Sequence, residues 1–158
     1  MSVSKDAKYA YEDFHEGREF QLGPVVVTAE EIVAFARQFD AQPMHLDEAA
    51  GKASLLGGLA ASGWHMTSLL MRMIADGYLL ESTSEGAPGV DRVDWKRPLL
   101  AGDSFGGITK VLSRRQSRSR KGLGLVAFRH ELRNQRDELV MVCEHSAMMA
   151  LRDAERGA

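Results

Sequence analysis

One cysteine, Cys143, stands among 158 residues, so no internal disulfide staples this chain and its stability must come from a packed core. Long apolar runs are missing too. The longest unbroken ones are five residues, as at 139–143 and 147–151, against the roughly 18 that a membrane helix needs. There is no excess of one charge: 20 Lys and Arg face 22 Asp and Glu, a formal charge of -2, which argues against wholesale binding of nucleic acid. The opening residues 1–13 are polar and lack the apolar core of a secretory signal, so the expected setting is the cytoplasm, without a membrane partner. What is present is 44% hydrophobic residues on a chain of single-domain length. The expected organisation is a polar arm over 1–13, one domain over 14–153 and a short tail over 154–158.

Residues 20–27 read as an edge strand or extended arm, interrupted at Gly23-Pro24. Thr28-Ala29-Glu30-Glu31 is a capping box, since the Thr28 hydroxyl can accept from the N–H of Glu31 while the Glu31 carboxylate reaches back. Ile32, Phe35, Ala36 and Phe39 then form one helical face, and Pro43 stops the helix near Gln42. One or two helical turns fit residues 46–52. After the glycine pair Gly57-Gly58, Ser62 can cap the strongest helix signal in the chain, with Met66, Leu69, Leu70, Met73, Ile74 and Tyr78 at helical spacing. Beyond the loop at 82–89 the pattern turns to strands at 90–95, 105–112, 123–132 and 139–151, with a hairpin loop at Asn134-Gln135-Arg136-Asp137. No helix separates these strands, so an antiparallel sheet is expected, giving an α+β fold.

Chemistry concentrates at Asp40-Ala41-Gln42-Pro43-Met44-His45. Helical continuation would set Asp40 and His45 about 140° apart. Pro43 prevents that continuation, so the loop can turn a carboxylate and an imidazole toward one water or hydroxyl between them for general acid–base catalysis, or the pair is ordinary loop polarity; the spacing alone does not choose.

The run from Asp40 to Asp47, followed by Gly57-Gly58-Leu59-Ala60-Ala61-Ser62-Gly63, resembles the signature of the MaoC-like dehydratases and R-specific enoyl-CoA hydratases, D-x-N-P-x-H and then a helix-opening glycine some 18 residues on. Here Gly63 follows His45 by 18. Residues 94–103, ending in Gly102-Asp103, resemble the family's later P-V-x-x-G-D segment, so the likeness runs from about Phe14 to Leu151. Gln42 stands where the family usually has Asn, Phe39 where it has Gly, and Ser62 where a His is frequent.

The resemblance implies a hot dog fold, a long central helix wrapped by an antiparallel sheet, and the reversible hydration of a 2-enoyl thioester. It implies Asp40 and His45 as the catalytic pair, the backbone N–H of Gly63 as donor to the thioester oxygen, and Gln42, Pro43, Ser62 and Trp64 as residues along the substrate. Coenzyme A or an acyl carrier would enter only as part of that substrate, with no separate cofactor and no metal, and the chain would pair as a homodimer or a dimer of dimers. Two other readings stay open: a hot dog thioesterase, which needs water aimed at the carbonyl carbon, and a non-catalytic acyl-thioester binding subunit.

The remaining candidates divide by environment. His65, two residues after Gly63, either faces the site or, as the more expected reading of a helix-start histidine, bonds to neighbouring backbone, and it stays outside the catalytic set. His130, His145 and Cys143 fall in strands and read as satisfied or buried sheet residues, and no Cys-x2-Cys or His-Glu-x2-His spacing marks a metal site. Lys110, Arg114, Arg115, Arg118, Arg120 and Lys121 form a basic stretch without an acid. It is either a solvated hairpin tip or, through Arg115, Arg118 and Arg120, a contact to the phosphates of coenzyme A or to an acidic carrier. Lys52, Lys96 and Arg97 are the next cations in line for that contact.

Overall fold

The computed structural model describes residues 6–153, and the expected tail at 154–158 and the first five residues of the expected arm lie outside them. Strand β1 (Glu19–Val26) leads to helices α1 (Ala29–Phe39), α2 (Glu48–Ala53) and α3 (Gly63–Gly77). The second half is all strand: β2 (Gly89–Trp95), β3 (Ser104–Gln116), β4 (Leu123–Arg133) and β5 (Leu139–Ala150). The five strands form one antiparallel sheet in the order β1-β3-β4-β5-β2, so β1 and β2 are its two edges.

The sheet wraps α3 because both elements keep one apolar face. Met66, Leu70, Met73 and Ile74 recur at helical spacing and are buried. Along β4 every second residue is buried, Val126, Phe128, His130 and Leu132, as the period of two in a strand requires. Phe14, Phe20, Tyr78 and Phe128 close the core with ring centroids 4.4–6.0 Å apart. This is the architecture that the order of periodicities predicts.

Several boundaries differ. Gly23-Pro24 does not end β1; the strand pairs with β3 on both sides of it and takes up the interruption as a register shift between Leu22 and Val25. Strand β3 runs on to Gln116, so Arg114 and Arg115 belong to a strand rather than to a hairpin tip. Within the segment expected to be a polar arm, Ala10 and Tyr11 are buried, and Arg114 donates to the carbonyls of Tyr11 and Glu12 at 2.9 and 2.7 Å while lying over the Tyr11 ring. That arginine therefore ties down the N-terminal segment.

Candidate active site

Helix α1 begins at the expected capping box: the Thr28 hydroxyl accepts from the N–H of Glu31, and the Glu31 carboxylate accepts from the N–H of Thr28. It ends at Phe39, leaving Asp40 as its C-cap with non-helical backbone. Pro43 opens a single 3-10 turn, Pro43–His45, which swings His45 back toward Asp40. Asp47 then caps α2 by accepting from the N–H of Ala50. Gly51 of α2 lies so close to Gly58 that a Cβ there would collide with the Gly58 carbonyl, which docks the loop before α3 onto this helix.

The two segments that carry the family likeness are zipped together by backbone bonds. Ala61 N–H donates to Leu99 O at 2.8 Å, and Ala101 N–H donates to Leu59 O at 2.9 Å. Asp103 steadies the turn between Leu100 and β3, accepting from the N–H of Leu100 and from the amide of Gln135. The carbonyl of Ala60 is thereby fixed, and it accepts from Nδ1 of His45 at 2.7 Å. A carbonyl only accepts, so Nδ1 carries a proton and Nε2 is the ring nitrogen turned toward Asp40.

That Nε2 stands 3.5 Å from Oδ2 of Asp40, with the imidazole almost entirely buried and the carboxylate side chain 16% exposed. Asp40 is held from two further sides: Ser62 donates to Oδ2 at 2.6 Å, and the Gln42 amide donates to Oδ1 at 2.7 Å. The Ser62 hydroxyl, and after it Gln42 and His45, hold the carboxyl below the usual range for Asp, against the opposing cost of burial. Asp40 is therefore a fixed anion beside the His45 ring.

Ser62 also caps α3, accepting from the N–H of Trp64 at 3.3 Å. Gly63 is the first helical residue, so its N–H belongs to the turn whose donors have no partner within the helix, at the positive end of the helix dipole. A cleft of about 360 Å³ opens over these groups. Asp40, Gln42, His45 and Gly63 supply its polar lining, Met44, Leu56, Met66, Trp64 and Trp95 much of its apolar wall, and Lys96 and Arg97 its cations.

Of the residues singled out in the sequence, Asp40, His45, Gly63, Gln42 and Trp64 meet at this cleft. Ser62 stands behind Asp40, fully buried, and Pro43 shapes the turn without lining the cleft. Arg115, Arg118 and Arg120 are exposed at the end of β3 and in the loop after it, and do not line the cleft of their own chain. Lys96 and Arg97, named as the next candidates for the phosphate contact, line the cleft, whereas Lys52 does not; Met44, Leu56 and Trp95 were not singled out as site residues, and nothing in the spacing of Trp95 from Gly63 signals that they touch.

The other histidines have different surroundings. His65 does not bond to neighbouring backbone: it stacks on Phe35 with centroids 4.7 Å apart and planes at 7°, its buried Nδ1 has no partner among the described residues, and burial lowers its pKa. His130 is satisfied within the sheet, between the hydroxyl of Thr109 at 2.8 Å and Nδ1 of His145 at 3.1 Å. Burial drives its pKa down to about 3, and that of His145 is lowered by the same cause. Cys143 is buried, which pushes its thiol up to about 11, so it is no nucleophile at neutral pH. Among the described residues no helix is long and apolar enough to cross a membrane.

A long helix enclosed by a five-stranded antiparallel sheet defines a hot dog fold. The chain belongs to the MaoC-like domain family, whose model matches residues 13–130. A MaoC-like dehydratase of Rhodospirillum rubrum is 35% identical, with a TM-score of 0.80 over 92% of this chain and 99% of that one. The uncharacterized protein YdeM of Bacillus subtilis is 24% identical over 139 residues, 87% of this chain and 96% of its own. An R-hydratase of Pseudomonas aeruginosa shares the fold, with a TM-score of 0.71 over 94% of this chain and 92% of that one at 20% identity.

Proposed function

We propose that the protein adds water reversibly across the C2–C3 double bond of a 2-enoyl thioester, giving a 3-hydroxyacyl thioester. The observation that carries this reading is the fixed anion of Asp40 3.5 Å from Nε2 of His45, whose Nδ1 donates to the Ala60 carbonyl, with both residues lining one cleft. Membership of a dehydratase family supports it.

A water between Asp40 Oδ2 and His45 Nε2 gives a hydrogen bond to each. As its oxygen bonds to C3, Nε2 takes its proton and the double-bond electrons move onto the thioester oxygen. The Gly63 N–H, at the start of α3, donates to that developing oxyanion. The imidazolium beside Asp40 then returns the proton to C2 and the carbonyl re-forms, so atoms and charge balance. Asp40 orients the water and stabilises the imidazolium without titrating.

Coenzyme A or an acyl carrier is the handle of the substrate, and Lys96 and Arg97 are the cations at the cleft best placed to meet its phosphate. A second copy of the chain covers the free edge of β2, where Val90 and Trp95 are exposed.

The test is a panel of crotonyl-CoA, longer enoyl-CoAs and saturated acyl-CoAs, followed by loss of enoyl absorbance and by free thiol. Absorbance loss without thiol release supports hydration. Thiol release from saturated substrates replaces it by thioesterase chemistry, and binding without either change by a non-catalytic role.

A further inference from the structure

Position 63 is glycine for a reason that lies outside the helix. A Cβ there would come within 2.6 Å of Cδ2, Cε2 and Cε3 of Trp95, so the indole rests directly on the Gly63 backbone. Trp95 is the last residue of β2, the sheet edge, and its ring is held in this seat from three sides. Its Nε1–H donates to the Thr67 hydroxyl at 3.3 Å, and that hydroxyl donates to the Gly63 carbonyl at 3.0 Å. The edge of one indole meets the face of the other in the Trp64–Trp95 pair, with centroids 5.3 Å apart and planes at 75°. Gly63, Trp64 and Trp95 all line the cleft that Asp40 and His45 open on.

We infer that Trp95 is the specificity-determining wall of the site, limiting it to thioesters unbranched at C2. The inference rests on the hydratase reading for its substrate and on the Gly63–Trp95 contact for its residue. An oxygen accepting from the Gly63 N–H lies about 3 Å from it, and the carbonyl carbon it belongs to carries only two other substituents, sulfur and C2. A wall in van der Waals contact with Gly63 therefore borders this part of the substrate. Sulfur in a thioester bears no branch, so the variable group within reach of the wall is a substituent on C2. The indole nitrogen is engaged with Thr67, so the wall offers the substrate an apolar face with no donor to compensate a misplaced methyl. Discrimination over one methyl in such a site is typically about 10–200-fold.

Two measurements test this, one with turnover and one without. The first compares kcat/KM for crotonyl-CoA and 2-methylcrotonyl-CoA in the wild type, Trp95→Ala and Trp95→Phe. The wild type should prefer the unbranched substrate by at least about tenfold. Trp95→Ala should shrink that preference to about threefold or less by raising kcat/KM for the branched substrate, with Trp95→Phe between. The second measures calorimetric binding of butyryl-CoA and isobutyryl-CoA, saturated thioesters without and with a C2 methyl, which undergo no hydration. The same ordering should appear in Kd. A preference unchanged in Trp95→Ala, or equal losses on both substrates, overturns the assignment of Trp95. An absence of hydration with the binding preference intact and Trp95-dependent overturns the hydratase reading and leaves the wall in place. If Trp95→Ala fails to fold, the shift in Trp95→Phe decides.

Discussion

The hydroxyl of Ser62 reaches back 22 residues in sequence to donate to Oδ2 of Asp40 at 2.6 Å, while the same oxygen accepts from the N–H of Trp64 and caps α3. One side chain thus joins the start of the central helix to the charge state of the candidate catalytic carboxylate. Removing it should have two separable effects. Ser62→Ala should lower stability by about 1 kcal/mol, the usual loss of a helix cap, seen in urea unfolding. It should also raise the Asp40 pKa, because the Ser62 hydrogen bond is the largest cause of its depression, and a carboxylate-resolved NMR titration reads that rise. Ser62→Thr, which keeps the hydroxyl, should restore the parent titration. An Asp40 titration that stays in place in Ser62→Ala would separate the serine from the charge state of the carboxylate.

Asp40→Asn and His45→Ala should each keep the circular dichroism spectrum of the parent and lower turnover of crotonyl-CoA by at least about 100-fold. Near-normal turnover in either variant would remove that residue from the mechanism.

Three histidines that the fold desolvates, His65 and His130 buried and His145 half-buried, give stability a definite dependence on pH. His65, His130 and His145 have folded pKa values below 6.5, each with burial as the largest cause. Below pH 6.5 the unfolded chain binds protons that the folded chain refuses, so stability is fully present above about 6.5 and is lost as pH falls. His130 alone contributes a slope of about 1.4 kcal/mol per pH unit from 6.5 down toward its folded value of about 3. Asp40, also depressed but from 3.8, adds to the loss only below that value. Urea midpoints at pH 7.5, 6.0 and 5.0 should fall in that order, and a flat series would contradict the burial of neutral imidazoles.

Lys96→Ser with Arg97→Ser should raise KM for a coenzyme A thioester and spare the matching pantetheine thioester, which lacks the nucleotide phosphates. The selectivity should shrink as salt rises, because exposed charges are screened over about 8 Å at physiological ionic strength. Replacing Arg115, Arg118 and Arg120 by Ser in parallel assigns the contact: a selective rise in that variant alone would move phosphate recognition to the far end of β3.

Light scattering at micromolar concentration should give the mass of a dimer or of a pair of dimers, since β2 presents an unpaired edge. A monomer of 17.4 kDa would leave that edge to another partner.

Much of this protein was legible in its sequence where the information is local. The capping box at Thr28 and Glu31, the stop at Pro43, the Ser62 cap and the apolar spacing through α3 depend on residues within one or two turns of each other, and each appears as read. The alternation along β4 is equally local, a consequence of strand geometry, and with the loss of helix period after residue 89 it settled the order of elements. The resemblance carried by Asp40, His45 and Gly63 brought the candidate site into view because the residue types and their spacing match a family signature.

What only the tertiary structure decided are contacts between residues far apart in the chain. Ala60 fixes the tautomer of His45 because backbone bonds zip residues 59–61 to 99–101. Trp95 comes from a sheet edge to lie on Gly63, and Arg114 leaves the basic stretch to hold the N-terminal segment 103 residues away. His65 exchanges a backbone partner for the ring of Phe35. No periodicity encodes these meetings. Local propensity fixes which face of an element is apolar, whereas the side chain that faces a given polar group is set by the register between elements, and register exists only once the core has packed.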